Sequence, residues 1–204
     1  MPILLGPSKE KTLPIVAIRE GVVFPHTETV LSFGRPASVA AVEAAFKGDS
    51  LVAFFSQKNP RLSEPGKDDL YQIGTLGKVE RVLRTETETH AWVKGLSRTK
   101  LESIDATTPF LVGKVIDVPE IVENSDEVSA LSSNLVKSFQ TALNLGKSVD
   151  VMTVMRLMGQ NSPPELADQI SYVMELKTSD KQKLLETLSV SNSFCLSEVL
   201  SSMT

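Results

Sequence analysis

Cysteine, histidine and aromatic residues are scarce in this sequence, and their scarcity excludes several kinds of chemistry. The single cysteine, Cys195, cannot form an internal disulfide. The two histidines, His26 and His90, lie far apart and lack the close spacing of a zinc site. We therefore predict no metal site and no disulfide framework, and the cysteine usage fits a reducing compartment.

Long apolar runs and a concentrated basic region are also absent. No run reaches the roughly 18 apolar residues of a membrane-spanning helix, and Met1–Thr12 lacks the apolar core of a signal peptide. The net charge is −4 and the isoelectric point is near 5.3, whereas nucleic-acid binding needs a concentrated basic face. We expect a cytoplasmic protein with neither a membrane nor a nucleic acid as partner.

The motifs that indicate catalysis or nucleotide binding are incomplete. Gly146-Lys147-Ser148 resembles the end of a phosphate-binding loop, but Thr141 occupies the position of the first required glycine. A glycine that ends a helix explains the segment more simply. Because no nucleophile-elbow pattern occurs either, we predict no catalytic residue, no cofactor-binding residue and no cofactor.

The pattern of apolar residues changes near residue 120. Before it, short β-branched runs alternate with glycine and proline; after it, apolar residues recur at helical spacing. The first part predicts about seven short antiparallel strands in a barrel or sandwich. The predicted strands are Leu13–Arg19, Val30–Phe33, Leu51–Phe55, Ile73–Arg84, Ala91–Val93, Lys100–Asp105 and Leu111–Val118.

One helix is predicted within this β-rich part, over Ala37–Phe46, with Gly48 just past its end. Its expected buried face carries Val39, Val42 and Phe46. Gly95 is expected to break the chain between two strands. The strand Leu51–Phe55 is apolar enough to be buried on both faces.

The second part predicts a series of helices. The first starts at Asp126 and runs for about twenty residues, followed by Val149–Met158 and by Glu165–Leu176, which Ser162 caps. Ser179 is predicted to cap another helix. Phe194–Met203 is expected to open a further one.

Four segments of the β-rich part together resemble one known family. They are Leu13–His26, which ends in Arg-Glu-Gly-Val-Val-Phe-Pro-His; Gly34–Ser38; Asp69–Thr75; and Val93–Arg98. In this order and spacing they resemble the N-terminal substrate-binding domain of the ATP-dependent protease Lon. The helical segments Leu166–Ile170 and Lys181–Thr187 are similar to the helices after the Lon barrel, so the resemblance covers roughly residues 11 to 190.

The resemblance implies an α+β fold: a PUA-like antiparallel β pseudo-barrel with one or two helices, followed by an α-helical bundle. The expected divisions are a flexible N-terminus over 1–10, the barrel over 11–119 and the helices over 120–204, leading toward an ATPase module. It also implies a chain that is not itself an enzyme, because the ATPase and the Ser–Lys peptidase of the family belong to other domains. Its expected partners are unfolded or damaged polypeptides, with self-association in the intact hexameric protease.

Exposed apolar residues are the candidates for substrate contact. The first is the turn Phe24-Pro25-His26, although Phe24 also suits the role of a plug in the barrel. The second is Phe55, since successive strand residues face opposite sides; cover by the first helix is the alternative. The third is a group of flexible methionines, for which helix packing is the alternative. These are Met152, Met155 and Met158.

Two other functions remain open at the level of the sequence. A PUA-like barrel also serves as an RNA-binding module, and basic residues do cluster in the hairpin region, although glutamates dilute them. The basic residues are Lys78, Arg81, Arg84, Lys94, Arg98 and Lys100. The third possibility is a stand-alone Lon-domain protein that binds a ligand or peptide.

Overall fold

The protein is a mixed α+β molecule, which confirms the predicted fold class. The computed structural model describes residues 10–120, 126–144, 151–159 and 161–187. The chain divides into two compact units, with the boundary between Pro119 and Glu120. The first unit holds the strands and one helix, and the second holds the other helices.

Five strands of the first unit close into a ring. In chain order the elements are β1 (Glu10–Ile18), β2 (Glu28–Phe33), α1 (Pro36–Lys47), β3 (Leu51–Ser56), β4 (Ile73–Arg84), β5 (Thr89–Ala106) and β6 (Leu111–Asp117). The sheet order is β2-β5-β4-β3-β1-β6, and β6 also pairs with β5. The ring therefore runs β5-β4-β3-β1-β6, while β2 lies outside it against β5.

One strand pair departs from the predicted antiparallel arrangement. β1 and β3 are parallel, with Ile15 opposite Ala53 and Ile18 opposite Ser56. The chain leaves β1, passes through β2 and α1, and returns to β3 in the original direction, as a parallel pair requires. The other pairings between the described strands β1 to β6 are antiparallel.

The predicted break at Gly95 is wrong, and so is the count of seven strands. β5 runs without interruption through Gly95, so Ala91–Val93 and Lys100–Asp105 belong to one strand of 18 residues. Its first half pairs with β2 and its second half with β6, while β4 pairs along much of its length. The strand continues because β4 pairs with one of its edges both before and after Gly95. The other edge pairs with β2 before Gly95 and with β6 after it.

Two apolar clusters lie on opposite faces of the strands. The α1-side core contains buried residues of α1, of the strands beneath it and of the segment between β1 and β2: Val16, Val23, Phe33, Ala41, Val42, Ala45, Val52, Phe54, Val79, Ala91 and Val93. The opposite core contains Leu13, Ile15, Ala17, Ala53, Phe55, Leu70, Leu76, Leu101 and Val115. β3 contributes to both, which confirms that this strand is buried on both faces.

The face that α1 buries includes the predicted Val42, with Val39 packed against the α1-side core, but it does not include Phe46. Ala41, Val42 and Ala45 are buried, whereas Phe46 is 43% exposed. Because each helical residue turns by about 100°, burying Ala45 rotates Phe46 away from the sheet. The end of the helix is as predicted: the Gly48 N–H donates to the Ala44 and Ala45 carbonyls at 3.1 and 3.0 Å.

The second unit contains α2 (Asp126–Asn144), α3 (Val151–Leu157), α4 (Pro163–Val173) and α5 (Thr178–Glu186). Their shared core comprises Leu135, Phe139, Leu157, Leu166, Ile170 and Met174. Ser162 is the N-cap of α4 as predicted, and its N–H donates to the Glu165 carboxylate at 2.9 Å. Lys177, not Ser179, precedes α5.

Two predictions of the sequence fall on segments for which no structure is given. The Gly146–Ser148 segment and the helix expected over Phe194–Met203 both lie outside the described residues. Among the described helices, none combines the length and the apolar character that crossing a membrane requires.

Candidate functional site

Four of the predicted contact residues lie in or near the barrel core. Phe24 and Phe55 are 0% exposed, Pro25 is buried and His26 is half-buried. A side chain without exposed surface offers nothing for a polypeptide to pack against. Substrate contact by Phe24, Pro25, His26 and Phe55 stays a prediction, which the burial of Phe24, Pro25 and Phe55 disfavours.

Hydrogen bonds hold the Phe-Pro turn against two other strands. The Val23 carbonyl accepts from Thr75 Oγ1 at 2.6 Å. The His26 N–H donates to the Gly95 carbonyl at 3.1 Å, and the Gly95 N–H donates to the Thr27 carbonyl at 2.9 Å. The Phe-Pro turn, Thr75 and Gly95, which lie far apart in the sequence, are thus neighbours in the fold. Their hydrogen bonds provide partners for buried backbone N–H and C=O groups.

Two glycines of these segments allow the close approach. A Cβ on Gly95 would collide with the Phe24 carbonyl oxygen, and a Cβ on Gly74 would collide with the Phe54 carbonyl oxygen. The Gly74 Cβ would also lie 2.5 Å from the ring of Phe55. Glycine at both positions is therefore required by packing, not by chemistry at a reacting centre.

Arg35, from the Gly34–Ser38 segment, links β1 to the loop after β3. Its guanidinium donates to Gln57 Oε1 at 2.8 Å and to the Ala17 carbonyl. Gln57, buried itself, donates onward to the Leu62 carbonyl at 3.1 Å. Burial lowers the pKa of Arg35, and the nearby Arg19 lowers it further. The signature segments thus organise the barrel, and exposed surfaces have to be sought elsewhere.

One exposed apolar surface lies on α3. Val151 is 69% exposed, Met155 is 65% exposed and Met158 is 42% exposed. Residues four and seven apart lie on one helical face, so these three form a continuous row, named here the α3 stripe. The side chain of Met152 lies outside the described residues, and substrate contact by the three methionines stays a prediction.

A second exposed surface lies on the sheet, on the face turned away from the α1-side core. Val30 of β2 and Arg81 of β4 flank Trp92 of β5. The Arg81 guanidinium carbon lies 5.2 Å from the centroid of the Trp92 ring, within the range of a cation–π contact. Val30 is 50% exposed. These three residues are named here the outer row.

The amino-acid sequence alone does not predict the outer row. The alternation of apolar and polar residues in β2 and β4 indicates which side chains point away from the core, but it does not indicate which strands are neighbours. The register also contains a shift between Val79 and Arg81, which places Arg81 opposite Trp92. A row formed by three strands therefore needs the structure.

Glutamates lie beside several of the exposed basic residues of the hairpin region. Arg98 is buried. Ion pairs join Lys94 to Glu28 at 3.8 Å, Arg84 to Glu43 at 3.6 Å and Lys100 to Glu102 at 2.9 Å. Since binding to nucleic acid depends on cations available to phosphates, this arrangement disfavours the RNA-binding alternative.

The fold defined above, a closed five-stranded ring with an extra strand followed by helices, is shared with solved structures of bacterial Lon N-terminal domains. The N-terminal domain of Mycobacterium avium complex Lon protease matches with a TM-score of 0.71 at 24% identity, over 95% of this chain and 96% of that one. The Lon N-terminal domain protein from Xanthomonas campestris matches with a TM-score of 0.62 at 15% identity, over 95% and 99%. At these identities the likeness establishes the fold.

Sequence comparison establishes the family. The model of the ATP-dependent protease La (LON) substrate-binding domain matches residues 12–194. Lon proteases of Desulforamulus reducens and Desulfovibrio desulfuricans are 33% and 36% identical over 90% and 86% of this chain. The chain belongs to the Lon substrate-binding domain family and is homologous to the N-terminal region of Lon proteases. It spans 23% and 20% of the length of these two relatives.

Proposed function

We propose that this chain captures unfolded or damaged polypeptides for a Lon-type ATP-dependent protease and supplies no catalytic group itself. Membership of the substrate-binding domain family supports the role. Unfolded chains differ from folded ones chiefly by their exposed apolar surface. A capture module therefore needs an exposed apolar surface of its own.

The observation that carries the proposal is the α3 stripe. Val151 and Met155 are each more than half exposed, and Met158 extends the row beyond the end of the helix. Methionine side chains are flexible and polarisable, so they adapt to partners of different shape. Such a surface suits weak contact with many sequences and does not require one particular side chain in the partner.

Weak contact at one copy becomes useful when several copies act together. If the intact protease is a hexamer, as the family resemblance implies, several stripes can hold one unfolded chain at once. Each further contact is then intramolecular, and the overall affinity can exceed that of one site by about 10²–10⁴. Self-association in the intact protease is therefore part of the proposal.

Binding of an unfolded model protein tests the function. Fluorescence anisotropy would compare a labelled, reduced and carboxymethylated protein with its native, disulfide-bonded form. We expect selective binding of the unfolded form at roughly micromolar affinity. Equal affinity for the two forms would contradict capture of unfolded polypeptides.

The double variant Met155→Gln with Met158→Gln tests the surface. Glutamine keeps the length of the side chain and its helix propensity but removes its apolar character, so we expect binding to weaken about fivefold or more. The matched control is Met155→Leu with Met158→Leu, which keeps the surface apolar. Equal affinity of both double variants would show that the α3 stripe does not contact the unfolded chain.

A further inference from the structure

We propose that Met155 and Met158 form an oxidation site through which hydroperoxides weaken the capture of unfolded polypeptides; this rests on the proposed function. Both side chains belong to the α3 stripe, so their polarity decides how well the stripe binds apolar segments. Oxidation of a methionine to its sulfoxide converts a flexible apolar side chain into a polar one. The modification therefore acts on the surface to which capture is assigned.

Exposure separates these two methionines from a third one in the same unit. Met155 is 65% exposed and Met158 is 42% exposed, whereas Met174 is 3% exposed, in the core of the helical unit. The oxidant must reach the sulfur atom before it can react. Among the methionines whose side chains the structure describes, the two of the α3 stripe should therefore react well before Met174.

A hydrogen-bond donor faces one of the two sulfurs. The side-chain amide of Gln140, on α2, donates to Met158 Sδ at 3.4 Å. This contact occupies a lone pair with which the sulfur would attack a peroxide, so Met155 should react first. A thioether sulfur is a weak acceptor, whereas the oxygen of a sulfoxide carries a partial negative charge and accepts more strongly. The same amide therefore favours the oxidised form of Met158 once it has formed.

The oxidation step is balanced with a hydroperoxide as the oxidant. A lone pair of the thioether sulfur attacks the outer oxygen of the peroxide, so that an S–O bond forms and the O–O bond breaks. The transferred oxygen gives its proton to the leaving oxygen, which departs as an alcohol, or as water from hydrogen peroxide. Sulfur loses two electrons and the peroxide gains two. A sulfoxide reductase with a dithiol reverses the change: the thiols form a disulfide, and the sulfoxide oxygen leaves as water.

Oxidation at these positions leaves the core of the helical unit in place. Leu157, which lies between the two methionines in the chain, is buried in that core with Phe139 and Ile170. The side chains of Met155 and Met158 are largely exposed. A polar group added to them alters the surface without opening the core, so we expect the oxidised chain to keep its helices.

Mild treatment of the full chain with hydrogen peroxide tests the proposal. Catalase would end the reaction, mass spectrometry of peptides would locate the sulfoxides, and fluorescence anisotropy would measure binding of the unfolded model protein. We expect Met155 to react first and Met158 next, with Met174 unmodified, and the affinity to fall about fivefold or more. Undiminished affinity after both have been oxidised would overturn the proposal. So would oxidation of Met174 as fast as that of Met155.

Reduction provides the reverse test on the same sample. Methionine sulfoxide reductases of both stereospecificities, supplied with dithiothreitol, should return the affinity to within about twofold of that of the untreated chain. If the sulfoxides are removed and binding is not restored, another oxidised group caused the loss, and the proposal is overturned.

The matched control is the double variant Met155→Leu with Met158→Leu. Leucine keeps the stripe apolar but has no sulfur, and the variant retains Cys195 and every other methionine of the chain. We expect it to bind the unfolded protein with the same affinity before and after treatment with peroxide. A fivefold loss in this variant would place the sensitive group elsewhere and overturn the proposal. Circular dichroism would follow both proteins, and loss of helix in the oxidised native chain would equally overturn it.

Two outcomes separate this proposal from the proposed function. If the untreated chain binds the unfolded and native forms equally, capture fails and its regulation fails with it. If the untreated chain prefers the unfolded form and keeps that preference after Met155 and Met158 have been oxidised, capture stands and regulation by oxidation is overturned.

Discussion

At the scale of single residues, the signature positions of this chain are explained by close packing. Gly95 is the sharpest example, because the Phe24 carbonyl oxygen occupies the space of a Cβ. The same glycine exchanges backbone hydrogen bonds with the Phe-Pro turn. A side chain there would separate β5 from the turn.

Gly95→Ala is therefore expected to destabilise the barrel. Overpacking of a rigid site costs about 1–3 kcal/mol or more in the free energy of unfolding, and the colliding atom here belongs to the backbone, which moves less easily than a side-chain end. Gly34→Ala is the control, since nothing lies within 4 Å of its added Cβ. Urea unfolding followed by circular dichroism would measure both, and equal stability of the two variants would contradict this account.

Lys181 gives a residue-scale prediction about pH. Its ammonium donates to the Tyr172 carbonyl at 2.8 Å and lies 5.8 Å from the centroid of the Tyr172 ring. Burial lowers the pKa of Lys181 from its ordinary value of 10.5. Between the lowered pKa and 10.5 the unfolded chain binds more protons than the folded chain, so this residue makes the free energy of unfolding rise with pH across that window.

The variant Lys181→Met removes this contribution. The difference in unfolding free energy, native chain minus variant, should increase as pH rises toward 10.5 and level off above it. Lys183→Met, at a more exposed lysine of the same helix, serves as the control. A difference that is independent of pH would show that Lys181 titrates alike in the folded and unfolded chains.

At the scale of elements, the sequence predicts which segments form helices or strands. It predicts less well which strands pair with each other and which face of an element is buried. β4 was predicted with its observed bounds because alternation over Ile73–Arg84 is local information. The predicted break at Gly95 is wrong because the sequence does not distinguish two roles of glycine. One is to end a strand, and the other is to leave space inside a strand for a neighbouring carbonyl group, here that of Phe24. Methionine spacing indicated Met155 and Met158 of the α3 stripe but not Val151, and the outer row depends on a register that only the folded sheet defines.

The helix α1 shows that one residue of a predicted face can be wrong while the others are right, since Val42 is buried as predicted and Phe46 is exposed. Small residues, Ala41 and Ala45, meet the sheet beside Val42, while the larger Phe46 projects outward. Val42→Ala should cost about 2 kcal/mol of unfolding free energy because it opens a space in the α1-side core. Phe46→Ala should change stability by no more than about 0.5 kcal/mol. Thermal or urea unfolding would compare them, and a larger loss for Phe46→Ala would restore the face predicted from sequence.

At the scale of the whole molecule, the proposed capture surface and the barrel belong to different units of the chain. The α3 stripe lies in the helical unit, and the ring of strands with the outer row lies in the barrel unit. The stripe alone is small, so the proposed capture depends on several copies of the chain that hold one flexible polypeptide together.

This separation predicts that the barrel unit folds alone. Every pairing of the ring, both apolar clusters and the whole outer row lie within residues 10–117, so a fragment of residues 1–119 should unfold cooperatively in urea. Its binding of the unfolded model protein should be about fivefold weaker than that of the full chain, or weaker still, because the α3 stripe is missing. A fragment that folds and binds the unfolded protein as tightly as the full chain would place the capture surface in the barrel unit, against the position of the α3 stripe.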